Sequence, residues 1–189
     1  MRTGLSRSYI YSSDQLADLV VTNPKLANLS ITYQKIADYT IPSQKLADQI
    51  TLSRAKAYLS TNQSYSAGTD TKVQFDTKVF DSYNQYDNIT NYRYAVYIGF
   101  DGYHVIHAQV QVAAHSSAGG IAIYIEKNGS IVARKVVNYQ SSALGFTVDI
   151  TGVFYLAYGD YIEIFINDTL AGTITGGSDK TFFEVFRLP

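Results

Sequence analysis

From Thr71 to the C-terminus, apolar and polar residues alternate in short runs. In Tyr103 to Val112, Ile106, Ala108, Val110 and Val112 fall on one side and His107, Gln109 and Gln111 on the other. Ile121, Ile123 and Ile125 alternate with Ala122, Tyr124 and Glu126, and Ile162, Ile164 and Ile166 alternate with Tyr161, Glu163 and Phe165. A period of two puts successive side chains on opposite faces of a strand, so each run predicts a strand with one apolar face. Thr181 to Leu188 predicts a last one. Turn dipeptides separate the runs: Asp101-Gly102, Gly119-Gly120, Asn128-Gly129, Gly159-Asp160 and Gly176-Gly177. Many short strands so punctuated predict an all-β sandwich or jelly roll, and this half has no helical period.

Before residue 60 the pattern differs. QLAD (Gln15 to Asp18), KLAN (Lys25 to Asn28), KIAD (Lys35 to Asp38) and KLAD (Lys45 to Asp48) recur every ten residues. Large apolar positions fall every five: Leu16, Val21, Leu26, Ile31, Ile36, Ile41 and Leu46. Five residues advance an α-helix by about 500°, so an apolar stripe would drift around it. Pro24 and Pro42 interrupt it as well. The repeat predicts an extended or solenoid-like stalk whose units are too small to bury their own apolar residues. An irregular arm packed on the C-terminal domain is the alternative. Pentapeptide solenoids fit less well, since the A-D/N-L triplets return every ten residues instead of every five. The expected division is a stalk or arm over 1–60 and a jelly-roll domain over 61–189, with the polar stretch Ser60 to Asp70 as linker or domain entry.

Composition narrows the function classes. Of 189 residues, 16% are charged and the net charge is −1, so no basic field attracts phosphate backbones and nucleic acid is not an expected partner. There is no cysteine, which removes disulfides, thiolate metal sites and thiol nucleophiles together. No apolar run is long enough for a membrane-spanning helix. The opening MRTGLSRSYIYSSDQ lacks the apolar stretch of a signal peptide, which leads us to expect either a protein that stays inside or one that leaves as part of a virion. The 17 tyrosines suit half-buried strands and interfaces alike.

From about Ser64 to Pro189 the motifs resemble the globular head of the C1q and tumour necrosis factor-like family. Phe80, the aromatic-Asn turn from Tyr86 to Asn88, Tyr94, and Gly102-Tyr103-His104-Val105 stand in the order that family uses. Lys127-Asn128-Gly129 fills its hairpin, Leu156-Ala157-Tyr158-Gly159-Asp160 its strand entry, and Lys180 to Leu188, with Phe186, its closing strand. Val105 stands where an aromatic is usual and Glu184 where a glycine is, and no collagen-like Gly-X-Y period precedes the domain. The resemblance implies a ten-stranded jelly roll, a homotrimer about a threefold axis, and ligand binding on loops or exposed faces. Tyr103, Val105, Tyr161 and Phe165 alternate with the Ile/Val core, which makes them candidates for the trimer interface. The alternative is that some of them are covered within one subunit.

Little in the sequence supports catalysis. His104 and His107 are three apart on a strand and face opposite sides; with His115 in a loop, all three read as isolated surface or interface residues. No serine sits in a nucleophile elbow, and a cupin-type enzyme would need the clustered His and carboxylate ligands missing here. Asp76, Asp81, Asp87 and Asp101 are the acidic residues that strands could bring together for calcium, an ion some family members bind, but they form no D-x-D-x-D loop. The metal assignment stays open and no other cofactor is expected. Five N-x-S/T triplets begin at Asn28, Asn62, Asn88, Asn128 and Asn167. Together these readings predict a non-enzymatic trimeric structural and binding protein: a virion fibre, turret or decoration component, partnered by itself and by other virion or surface proteins. The alternative is a secreted cellular module whose partner is a receptor or a glycan.

Overall fold

The structure, a computed structural model, describes residues 53–141 and 143–188. The decad repeat and the first sequon, at Asn28, lie outside the described residues. Those described form thirteen strands and no helix: β1 (Arg54–Tyr58), β2 (Gln63–Tyr65), β3 (Thr71–Lys72), β4 (Thr77–Asp81), β5 (Tyr86–Asp87), β6 (Arg93–Ala95), β7 (Gly102–Val112), β8 (Gly119–Lys127), β9 (Ser130–Tyr139), β10 (Phe146–Leu156), β11 (Tyr161–Asp168), β12 (Gly172–Ile174) and β13 (Phe182–Arg187). Several have only two or three residues, which is why the count exceeds the ten expected.

Two antiparallel sheets face each other. The first runs β2-β12-β7-β13-β1-β4, with β10 paired to β7; the second runs β5-β6-β11-β8-β9, with β3 on β11. The alternating isoleucines explain the packing. Ile106, Val110 and Val112 from the first sheet meet Ile121, Ile123, Ile125, Ile162, Ile164 and Ile166 from the second, all fully buried. Interdigitating inner faces of this kind are the core of a sandwich. Asn128 (φ 53°) and Gly129 (φ 75°) close the β8–β9 hairpin with the left-handed pair that a two-residue turn requires.

Two readings of the sequence fall differently in the structure. Arg54–Tyr58, on the stalk side of the boundary drawn at residue 60, is an inner strand between β13 and β4, with Ala55 and Ala57 in the core. The stretch Ser60 to Asp70 carries β2, which pairs with β12, and Tyr65 is buried. Its polar composition hid it because one buried ring anchors the whole segment. The same segment explains a glycine. An added Cβ at Gly176 would stand 2.8 Å from the backbone carbon of Thr61 and 2.9 Å from the Ser60 carbonyl oxygen. Gly176→Ala is expected to lower stability by about 1–3 kcal/mol, read as a shift in urea midpoint, because backbone must move to admit the methyl.

Candidate functional site: an aromatic face on the first sheet

The outer face of the first sheet is unusually apolar at one end. Tyr103 on β7 stands directly opposite Tyr155 on β10, and the rings meet edge to face at 5.5 Å. In the next outward row, Val153, Val105 and Phe186 lie side by side on β10, β7 and β13. Phe80 on β4 then continues the stripe, 6.5 Å from the Phe186 ring. Tyr103 is 59% exposed, Val153 55%, Tyr155 54% and Phe80 38%. Strand alternation forces this display, since the partners of these residues on the same strands, such as Ile106 and Leu156, fill the core. Further along the face the character becomes polar: Lys56 pairs with Glu184, His107 bonds Thr151, and Lys135 bonds Asp149. Lys135 and the low-lying Asp149 carboxyl, whose pKa that bond lowers, come from β9 and β10, which close the sandwich at this side. β9 also ends its own sheet and exposes Ile131, Val132 and Val136.

The four interface candidates therefore separate. Tyr103 and Val105 belong to the exposed aromatic face. Tyr161 and Phe165 lie on β11, in the other sheet, and look away from it. Their own chain partly covers them. The Arg93 guanidinium sits 4.3 Å over Tyr161, Phe165 stacks on Tyr124, and Lys72, paired with Glu163, lies over Phe165. The sequence shows that these residues oppose the core but not which sheet each strand joins. Tyr155, Val153 and Phe80 complete the face and were missed as interface residues; the cross-strand register supplies them.

The motif residues have visible roles. Lys127 pairs with Asp160, and the Asn128 side chain donates to Asp160 and accepts from the Tyr161 N–H, so the hairpin and the strand-entry motif lock together. Those donors hold the Asp160 carboxyl below its ordinary value against the opposing effect of burial, which is the largest single influence. Gly159 has φ 87°, which suits the turn into β11. Gly102 opens β7 with φ 146°, its Cα side against the Arg187 guanidinium. Tyr94 is fully buried, bonded to Ser53 and Gln85, which also bond each other.

The histidines and acids need correction. His107 is on the outer face, opposite to His104 as strand geometry requires, but His104 is fully buried, with Nδ1 at 3.0 Å from the Gly102 carbonyl oxygen. Burial holds its pKa below the ordinary value. His115 is also buried, in a cluster with Tyr65, Tyr139 and Asp168. Tyr65 and Tyr139 both donate to the Asp168 carboxylate, at 2.9 and 2.6 Å. With its proton so used, the Tyr65 oxygen accepts from His115 Nε2 at 3.0 Å, which fixes the tautomer. Asp168 drew notice only inside an N-x-T triplet. The four candidate calcium residues do not converge. Asp76 caps Ser60, Asp81 holds Lys78 and two backbone N–H groups, Asp87 caps the 88–91 loop, and Asp101 accepts from Tyr158. Among the described residues no three His, Asp or Glu side chains group as a metal site.

No family model and no curated protein sequence matches the chain. Solved structures do. The crystal structure of murine APRIL at pH 5.0 superposes with a TM-score of 0.55 at 18% identity, and the one at pH 8.0 with 0.55 at 19%; each match covers 73% of this chain and 100% of that one. The Eiger TNF structure from S. frugiperda gives 0.55 at 9% identity, covering 73% of this chain and 93% of its own. Identities this low speak to fold alone, and the fold agrees with the motifs. The described domain is a tumour necrosis factor-like, C1q-like jelly roll.

Proposed function

We propose that this protein is a non-enzymatic homotrimeric binding head, carried on its N-terminal repeat and serving as a virion fibre, turret or decoration component. The observation that carries the trimer is the exposed stripe of Tyr103, Tyr155, Val105, Val153, Phe186 and Phe80. A soluble domain rarely leaves so many contiguous apolar side chains in water. The exposed apolar edge on β9 gives the stripe a complement in a second copy. A face on one side and an edge on another make a heterologous contact, which closes into a ring when each copy turns by a third of a revolution. The decad repeat favours a shaft and hence the virion setting. The likeness in fold to Eiger TNF favours, as the second reading, a secreted cellular module that binds a receptor or a glycan.

Sedimentation of the full chain tests the proposal. A species of three times the 21.0 kDa chain mass at micromolar concentration is expected; a monomer there would overturn it. Virion and cellular settings separate by whether the protein co-purifies with particles.

A further inference from the structure

Where β4 at the edge of the first sheet meets β5 and β6 of the second, their segments line a pocket of about 440 Å³. Its walls are polar. Asn84, Asn88 and Asn91 line it with Lys78, Arg93 and the ring of Tyr97. The Tyr97 hydroxyl donates to the Asn84 carbonyl oxygen, which holds that half-exposed ring beside the opening.

The electrostatics are uneven. Asp87 and Arg93 are directly opposed across β5 and β6, the usual arrangement for an ion pair. No pair forms. Both Asp87 oxygens are occupied by the Ile89, Thr90 and Asn91 N–H groups and the Asn91 side-chain amide. Those donors pull its pKa down to about 2, so the carboxylate is charged and already satisfied. Lys78 is committed to Asp81 and to the Asn84 side-chain oxygen. Arg93 is left with a stack on Tyr161 and, among the described residues, no hydrogen bond or carboxylate partner. Stacking fixes the plane of a guanidinium and leaves its N–H fork free for a planar anion. The amides are similarly half used. Asn88 donates to the Asp76 carbonyl oxygen, Asn91 donates to Asp87 and Asn84 accepts from Lys78; among the described residues the Asn88 and Asn91 side-chain oxygens have no donor and the Asn84 N–H₂ no acceptor.

We propose that this pocket binds a carboxylate-bearing sugar of monosaccharide size, with Arg93 on the carboxylate and the three asparagines on the hydroxyls. The volume suits one sugar ring. Sugar hydroxyls both donate and accept, which matches two open carbonyls and one open amide; a bare anion would leave those groups without partners. Tyr97 offers an exposed aromatic face at the rim. This site needs neither the trimer nor the virion setting.

The test is a titration of the full chain with N-acetylneuraminate and glucuronate, followed by NMR shifts of the asparagine side-chain amides. Neutral galactose, acetate and inorganic phosphate are the comparison probes. At least one acidic sugar is expected to bind in the millimolar range, at least tenfold more tightly than each of the three comparisons. Arg93→Gln should weaken that binding tenfold or more while leaving sedimentation unchanged, and Arg93→Lys should restore only part of it. Asn84→Gly, which keeps the left-handed backbone at φ 53°, should weaken it by a smaller factor. Equal binding of galactose, equal binding of acetate or phosphate, an unaffected Arg93→Gln protein, or no shift with either acidic sugar at about 20 mM would each overturn the proposal. Failure here leaves the trimer untouched, because sedimentation reads that separately.

Discussion

Tyr155→Glu is expected to give a folded domain that sediments as a monomer at concentrations where the proposed trimer of the unaltered chain is intact. Tyr155 is the outward residue of β10 that meets Tyr103, and its neighbours in the stripe are Val153, Val105 and Phe186. In the free domain it is 54% exposed, so a glutamate there faces water and the fold tolerates it. In the proposed trimer the same position is buried. Covering a large apolar side chain is worth about 1.5–3 kcal/mol, and burying an unpaired carboxylate costs several more. The change enters three times per assembly. Even at about 2 kcal/mol per copy the trimer loses roughly 6 kcal/mol, more than four decades in its dissociation constant. Ile98→Glu is the control, since Ile98 is 79% exposed on a loop outside the face, and it should remain trimeric. Val136→Glu on the β9 edge should dissociate the trimer as Tyr155→Glu does if edge packs on face. A trimeric Tyr155→Glu protein with wild-type midpoint would end the proposal.

Local pattern carried the fold. Every alternating isoleucine run is a strand with the expected side inward, and the Asn128-Gly129 turn takes the left-handed pair its sequence demands. What alternation does not encode is pairing. Tyr103 and Tyr161 look alike in sequence, each following a glycine turn and each opposite a core isoleucine. One joins a sheet whose outer side leaves Tyr103 and Tyr155 exposed, and the other a sheet where neighbouring strands lay Lys72, Arg93 and Tyr124 against the outward rings. That difference is set by contacts distant in sequence, such as Lys72 with Glu163 and Arg93 over Tyr161. Tyr155 went unnoticed for the same reason, since only the register of β10 on β7 brings it to Tyr103. The pocket was less legible still. Asn88 was read as a sequon, yet its amide nitrogen is bonded to the Asp76 carbonyl oxygen and lines a cavity built from three segments.

Asp168→Ala should destabilise the domain more than any single change on its surface. The carboxylate is fully buried and accepts from three groups, the Tyr65 and Tyr139 hydroxyls and the Leu170 N–H at 3.0 Å, with His115 Nε2 3.3 Å away. Tyr65 comes from β2 in the first sheet, Tyr139 from β9 in the second, and His115 from the loop after β7 and stacked on Tyr139 at 5.0 Å, so one side chain ties both sheets at this end. Burial and the bond to Asp168 raise the pKa of both tyrosines, Tyr139 to about 12 and Tyr65 further, which keeps both hydroxyls as donors across the neutral range. Alanine removes the acceptor and leaves those buried donors without it. Breaking a buried charged hub of this kind costs about 3–5 kcal/mol, which for a domain of this size is a fall of roughly 10–20 °C in Tm. Asn preserves the shape and still accepts from Tyr139 and Leu170, but its N–H₂ then faces the Tyr65 hydroxyl, which must reverse to accept. Asp168→Asn is accordingly expected to fall between wild type and Asp168→Ala. Tyr65→Phe removes one donor and its own need together, so its loss should be the smallest of the three, about 1 kcal/mol. Calorimetry of the three variants at one pH gives the order directly. If Asp168→Ala melts within 3 °C of the parent, by the same scale a cost under about 1 kcal/mol, the carboxylate does not tie the sheets together.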